Sequence, residues 1–123
     1  MLKGDDEVKR FFLDYNERQI VHAAVRIDSR RQRKQSAFTR KASDAIAKAK
    51  DGLDVGDISP DVRSVIVEKI YQSIAYGQAW EYLGETFCNR GQFYQYRKQF
   101  CFLVADNMGL IDNRRRKQQG KGG

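Results

Sequence analysis

Apolar positions recur at helical rather than alternating spacing along most of the chain. Val8, Phe11, Phe12 and Tyr15 begin a stripe, and Ile20, Ala23, Ala24 and Ile27 continue it with a shift of phase. No glycine or proline interrupts it, so one long helix is predicted over residues 5–33, with Asp5, Asp6 and Glu7 at its electropositive end. Residues 29–36 are polar and basic, and the helix is expected to fray there. Phe38, Ala42, Ala45, Ile46 and Ala49 predict a second helix over residues 38–51. Residues 52–60 hold two glycines and the only proline and read as a linker. Ser59-Pro60-Asp61 is a helix start, with a serine cap, proline in the first turn and then an acid. The third helix runs to about residue 76, with Val62, Val65, Ile66, Ile70 and Ile74 inward and Gly77 as its stop.

The last third reads as a short helix, a tight turn and a longer helix. The short helix covers residues 78–85, with Ala79, Trp80 and Leu83 toward the core, and residues 84–88 make the turn. Asn89 caps the final helix. That helix carries Phe93, Tyr96, Phe100, Leu103 and Val104 on one face and stops near Met108, with Gly109 just beyond it. Leu110 and Ile111 can fold back on its end. No segment shows the alternation of a strand, and no internal repeat is present, so the fold class is all-α. The expected organisation is an N-terminal helical arm (1–51), a linker (52–60), a helix-turn-helix unit (61–112) and a disordered basic tail (113–123). The first helix has more apolar surface than a small domain covers, which points to a homodimer through it.

Charge narrows the partner. The 123 residues carry a formal net charge of +7, and 32% of them are charged. The cations cluster at Arg26, Arg30, Arg31, Arg33, Lys34, Arg40 and Lys41, and again at Arg114, Arg115, Arg116, Lys117 and Lys121. Asp44, Asp51, Asp54, Asp57 and Asp61 lie between these groups, a distribution that suits a polyanion better than a uniformly basic surface would. Solvated charge for solubility is the plain alternative. No apolar run approaches the roughly 20 residues needed to span a bilayer, so no membrane partner is expected. Met1-Leu-Lys-Gly-Asp-Asp-Glu7 is acidic and lacks the apolar stretch of a secretory signal, which implies a cytoplasmic, nucleoid-associated protein.

Metal and catalytic chemistry find little support. Cys88 and Cys101 form no CxxC motif, and one histidine leaves too few soft ligands for zinc. The aspartates of residues 52–61 lack the order and closing glutamate of a calcium loop. His22 sits among Val21, Ala23 and Ala24 with no nucleophile at a useful spacing, and no phosphate-binding glycine motif is present. No cofactor and no enzymatic activity are expected.

The final helix opens with polar, basic and aromatic side chains and then turns apolar, as the reading helix of a helix-turn-helix does. With Phe93 and Tyr96 inward, the exposed positions are Arg90, Gln92, Tyr94, Gln95 and Lys98. Arginine pairs bidentately with guanine, glutamine with adenine, and lysine neutralises phosphate, while a tyrosine edge meets a thymine methyl. These are the candidate base-reading residues on double-stranded DNA. Arg30, Arg31, Arg33, Lys34, Arg114, Arg115, Arg116 and Lys117 are the candidate phosphate contacts. A surface helix of any basic protein also shows arginine, glutamine and lysine, and the aromatic residues at helical spacing, Trp80 among them, favour core roles.

One stretch also carries a family likeness. Ile70-Tyr71, Gly77-Gln-Ala-Trp80-Glu-Tyr-Leu, Asn89-Arg-Gly-Gln-Phe-Tyr-Gln-Tyr-Arg-Lys-Gln-Phe100 and Leu103-Val-Ala resemble the C-terminal half of phage late-operon regulators of the ArpU/RinA type. Those proteins are themselves similar to region 4 of bacterial sigma factors. Against their pattern of Ser-Arg, an aromatic pair and Arg-Lys, this chain sets Asn89-Arg90, Phe93-Tyr94 and Arg97-Lys98. The segment from Trp80 to Asn89 is one residue shorter than usual. The resemblance implies a phage or prophage protein of a Gram-positive host that activates late genes by binding DNA and touching RNA polymerase. Two other readings stay open: a small subunit of a DNA-packaging terminase, and a helical adaptor that binds protein through Phe11, Phe12 and Tyr15.

Overall fold

The computed structural model describes residues 11–30 and 36–111. Four α-helices, one 3-10 turn and no strand occur among them, so the architecture is all-α. The helices are α1 (Tyr15–Arg30), α2 (Ala37–Gly52), α3 (Pro60–Tyr76) and α4 (Arg90–Asn107), with the 3-10 turn Trp80–Tyr82 between the last two.

Helix α1 corrects the predicted helix over residues 5–33. Residues 11–14 are not helical, and the helix starts at a capping box. The Glu17 N–H donates to Asp14 Oδ1 (2.8 Å), and the Asp14 N–H donates back to Glu17 Oε1 (3.0 Å). Residues 5–10 and 31–33 of the predicted helix lie outside the described residues. The buried face also differs from the apolar stripe. Val21, Ala24 and Val25 are fully buried, whereas Ile20 and Ile27 are exposed. The buried face continues into Asp28, which an apolar count rejects. Asp28 is accommodated because both carboxylate oxygens are bonded: the Ser43 hydroxyl donates to one and Tyr71 Oη donates to the other at 2.6 Å. A polar group satisfied in this way escapes the cost of burial without partners. These bonds tie α1 to α2 and α3.

Helix α2 begins where Ser36 Oγ accepts from the Thr39 N–H, and it buries Ala42, Ala45, Ile46 and Ala49 as predicted. Phe38, one turn in, stays exposed. The C-terminal carbonyls of α2 are met from α3. Arg63 Nη2 lies 2.7 Å from Lys50 O, 2.9 Å from Leu53 O and 3.1 Å from Asp51 O. A cation there complements the negative end of the helix dipole as well as the orphan carbonyls. Arg63→Met, which keeps much of the stem, is therefore expected to cost about 2 kcal/mol in urea unfolding, the scale of a charge-assisted hydrogen bond.

Helix α3 starts at Ser59-Pro60 as predicted, with Ser59 Oγ accepting from the Val62 N–H, and ends at Gly77 in the left-handed region. Ile66, Ile70 and Ile74 are buried and Val62 and Val65 half-buried. The predicted helix over residues 78–85 is instead a single 3-10 turn. Side-chain bonds override helix there. The Trp80 indole N–H donates to Thr86 Oγ1 (2.9 Å), and that hydroxyl donates to Cys88 O (2.9 Å). Gly84 and Phe87 take positive φ to close the loop.

Helix α4 packs chiefly on α2, and α1 touches all three other helices. Phe93, Phe100, Phe102, Val104 and Ala105 are buried, and Tyr96 and Leu103 half-buried. Beyond the helix, the Leu110 N–H donates to Ala105 O and Ile111 is buried, so the chain folds back as predicted. No helix among the described residues is long and apolar enough to cross a membrane.

Candidate nucleic-acid interface

The opening of α4 is held in one geometry by its cap. The Gln92 N–H donates to Asn89 Oδ1 (2.8 Å), and the Asn89 N–H donates to Gln92 Oε1 (3.2 Å). Behind it, the Trp80 N–H donates to Tyr94 Oη (3.1 Å), and Phe93 meets the Tyr94 ring edge-on at 5.5 Å. The first turn contains no acidic side chain. Its unpaired N–H groups, the positive end of the dipole and Arg90 therefore add to one electropositive surface.

The five candidate base readers do not share one role. Arg90 is exposed and forms an ion pair with Glu81 at 3.1 Å, its guanidinium 5.2 Å from the Tyr94 ring centre. Both partners are open to solvent, so the pair is weak and readily exchanged. Gln92 is exposed, but its carbonyl is engaged in the cap. Tyr94 is half-buried with its hydroxyl on Trp80, which makes it a brace of the turn. Gln95 is exposed on the outward stripe Gly91–Gln95–Lys98–Phe102. Lys98 is half-buried beside Phe11, Phe12 and Leu13, and Phe102 at the far end is covered by Phe11, ring centres 5.7 Å apart. The segment before α1 thus crosses the outer face of α4. The part of that stripe left open is Gly91 and Gln95.

A second, glutamine-rich edge of α4 faces the loop after α2. Gln99 Nε2 donates to Asp54 O (3.1 Å) and Gln99 Oε1 accepts from the Asp54 N–H (2.7 Å). Leu53 and Val55 are buried, so this loop is docked on the helix.

Of the phosphate candidates, Arg30 is exposed in the last turn of α1. Arg31, Arg33, Lys34, Arg114, Arg115, Arg116 and Lys117 lie outside the described residues. A different basic group does come together between helices. Arg18 and His22 of α1 face Arg97 and Lys98 of α4 across a cavity of about 440 Å³. Arg97 flanks the Tyr94 ring at 5.8 Å, and its Nε is buried with no hydrogen-bond partner among the described residues. Sequence reasoning missed this group because its members come from two helices far apart in the chain. The local signal was only the Arg18–His22 spacing of one helical turn.

Burial, followed by the nearby Arg97, Arg26 and Arg18, lowers the His22 pKa from its usual 6.5 to about 4. The folded state therefore binds fewer protons than the unfolded chain between these values. The His22 contribution to stability is complete above pH 6.5 and is lost as the pH drops toward 4. The urea midpoint should decline across this window, and His22→Gln should flatten the decline relative to wild type.

Cys101 is buried, which pushes its thiol up to about 11, and burial likewise raises Cys88. Both are free thiols, and poor nucleophiles at neutral pH. Cys88 is only half-buried. No group of three or more His, Cys, Asp or Glu able to hold a metal ion occurs among the described residues. Comparison of the chain with protein-family models, characterised proteins and solved structures returns no match.

Proposed function

We propose that this protein is a non-catalytic, sequence-specific double-stranded DNA-binding regulator of transcription, of the phage late-operon type. Helix α4 is its reading helix. The observation that carries this reading is the capped, acid-free first turn of α4, with Arg90, Gly91 and Gln95 all exposed. Gly91 has only the Asn89 side chain within 4 Å of where a Cβ would stand, so the backbone can approach a groove closely. In this reading Arg90 exchanges Glu81 for a guanine edge, and Gln95 reads the neighbouring base. Tyr94 and Gln92 set the angle of the helix, and Lys98 reaches phosphate or base from the second turn. The turn Trp80–Tyr82 supports α4 in place of the full first helix of a sigma-region-4-like unit. The basic runs around Arg30–Lys34 and Arg114–Lys117 would add phosphate contacts. Late-gene activation, contact with RNA polymerase and dimerisation through α1 belong to the same proposal.

The test is selection from random duplex DNA at about 150 mM salt, where phosphate attraction alone is weakened. An enriched motif supports the reading, and its symmetry reports on dimerisation. Retention without enrichment favours a packaging subunit. Absence of retention favours the protein-binding adaptor, a reading that the exposure of Phe12 (55%) and Tyr15 (65%) also favours.

A further inference from the structure

The cavity between α1 and α4 has no part in the reading of DNA by Arg90 and Gln95. Its walls are of two kinds. Arg18, Arg97 and Lys98 supply three cationic side chains, and no carboxylate lines the cavity among the described residues. Phe12 and Tyr94 supply aromatic surface. Like charges gathered without a counter-ion repel one another, and the repulsion is relieved when an anion enters. Arg97 adds a specific sign of an incomplete site: Nε is buried and unpartnered while the guanidinium stands over the Tyr94 ring. Buried donors are nearly always bonded, so this one marks the place of a missing acceptor. The cavity volume, about 440 Å³, falls within the roughly 300–1,000 Å³ of small-molecule sites.

We propose that this cavity binds a phosphoryl group carried on an aromatic body, with Arg97, Arg18 and Lys98 around the oxyanion and Phe12 and Tyr94 against the ring. Guanidinium groups suit tetrahedral oxyanions because they present paired N–H donors, and aromatic faces accept a planar base without regard to its edge. His22 makes the site responsive to its ligand. The charged groups that act on it are Arg18 and Arg26 from α1 and Arg97 from α4, with Lys98 on the same cavity. Burial lowers the His22 pKa most and these cations add to it, so an oxyanion among them offsets only their share while it changes the field at the ring. The phosphoryl group has two possible sources, a free nucleotide or a nucleic-acid backbone.

The experiment uses the full chain near neutral pH in a phosphate-free buffer. Adenosine 5′-monophosphate, adenosine and a random-sequence duplex without terminal phosphates are titrated separately. Calorimetry reads the binding, and NMR follows the ring of His22, the only histidine. The expected result is saturable one-to-one binding of the monophosphate that shifts the His22 ring resonances, with adenosine at least about tenfold weaker. Arg97→Gln and Lys98→Gln should each weaken it by about tenfold or more. Lys98 is half-buried without the buried, unpartnered nitrogen of Arg97, so its substitution tests the site even if Arg97→Gln unfolds the chain. Movement of His22 with the duplex alone, sensitive to Lys98→Gln, supports the site and assigns the backbone as its source. If neither titrant moves His22, or if monophosphate binding survives Lys98→Gln unchanged, the proposal is overturned. Duplex binding without movement of His22 also overturns it, and leaves the DNA-reading role of Arg90 intact.

Discussion

Phe100→Ala is expected to lower the unfolding free energy by about 3–5 kcal/mol, the largest loss of any single truncation proposed for this fold. Phe100 is fully buried on α4, the helix that packs most closely on α2, and it shares the core with Phe93 and Val104. Truncation removes the ring from the core and leaves a cavity that helices fixed at both ends cannot collapse around. Such a change costs about 3–5 kcal/mol in well-packed cores. Total stability for a domain of this size is about 5–15 kcal/mol, so the loss takes much of what is available. Urea denaturation followed by helical circular dichroism provides the check. A substitution at Phe87 is the internal contrast. Phe87 is 53% exposed and holds a φ of +58°, so its ring contributes little packing and its backbone is strained. Phe87→Gly should be neutral or stabilising by up to about 1 kcal/mol, because glycine takes positive φ without steric cost. A core Phe100 variant as stable as wild type would mean that α4 does not pack on α2 as described.

The contrast between these two phenylalanines also shows what was legible in the chain. Elements bounded by their own caps were readable. Ser59-Pro60, Gly77, Asn89 and Gly109 each act within a few residues, and the helices they bound fell where the sequence placed them. The start of α1 was equally local, in Asp14-Tyr-Asn-Glu17, but an apolar stripe running through it suggested continuity. The cap starts the helix there, and the residues before it, Phe11 and Leu13, lie against α4 instead. The buried face of α1 was not readable in principle. It depends on Asp28 finding Ser43 and Tyr71, partners brought close only by the fold. The turn Trp80–Tyr82 departs from the predicted helix for a similar reason: residues 78–85 have helical spacing, yet Trp80 is held by Thr86 and by Tyr94 from the next helix.

The same division runs through the candidate interface. The side chains at the start of α4 were chosen by helical position alone, and that logic finds Arg90 and Gln95, which need only be exposed. It cannot distinguish them from Tyr94 and Lys98, whose surroundings are set by the loop before the helix and by the segment before α1. It also passes over Arg97, whose place in a cationic cavity is fixed by Arg18 and His22 on another helix. A helix that reads DNA must be held rigidly from behind. Tyr94, anchored on Trp80 and flanked by Arg90 and Arg97, is the residue best placed to do that.

Arg90→Ala should relax sequence preference and weaken binding to the selected operator by about 1–3 kcal/mol, with a smaller effect on unrelated DNA. The physical case rests on what Arg90 loses and gains. In the free protein it is held by Glu81 at 3.1 Å in an exposed pair. That pair is worth at most about 1 kcal/mol, whereas a bidentate contact to guanine discriminates by about 1–3 kcal/mol. On the proposed function the exchange is favourable only at the right base, which would make Arg90 a source of specificity more than of affinity. Glu81→Gln separates this role from simple charge attraction. It releases Arg90 without removing it, so binding should tighten modestly on all duplexes while the preferred motif stays the same. Measuring operator and random-duplex affinities for wild type, Arg90→Ala and Glu81→Gln at two salt concentrations distinguishes the cases. If Arg90→Ala weakens both duplexes equally and flattens the salt dependence by about one phosphate contact, Arg90 touches the backbone and another residue of α4 reads the base.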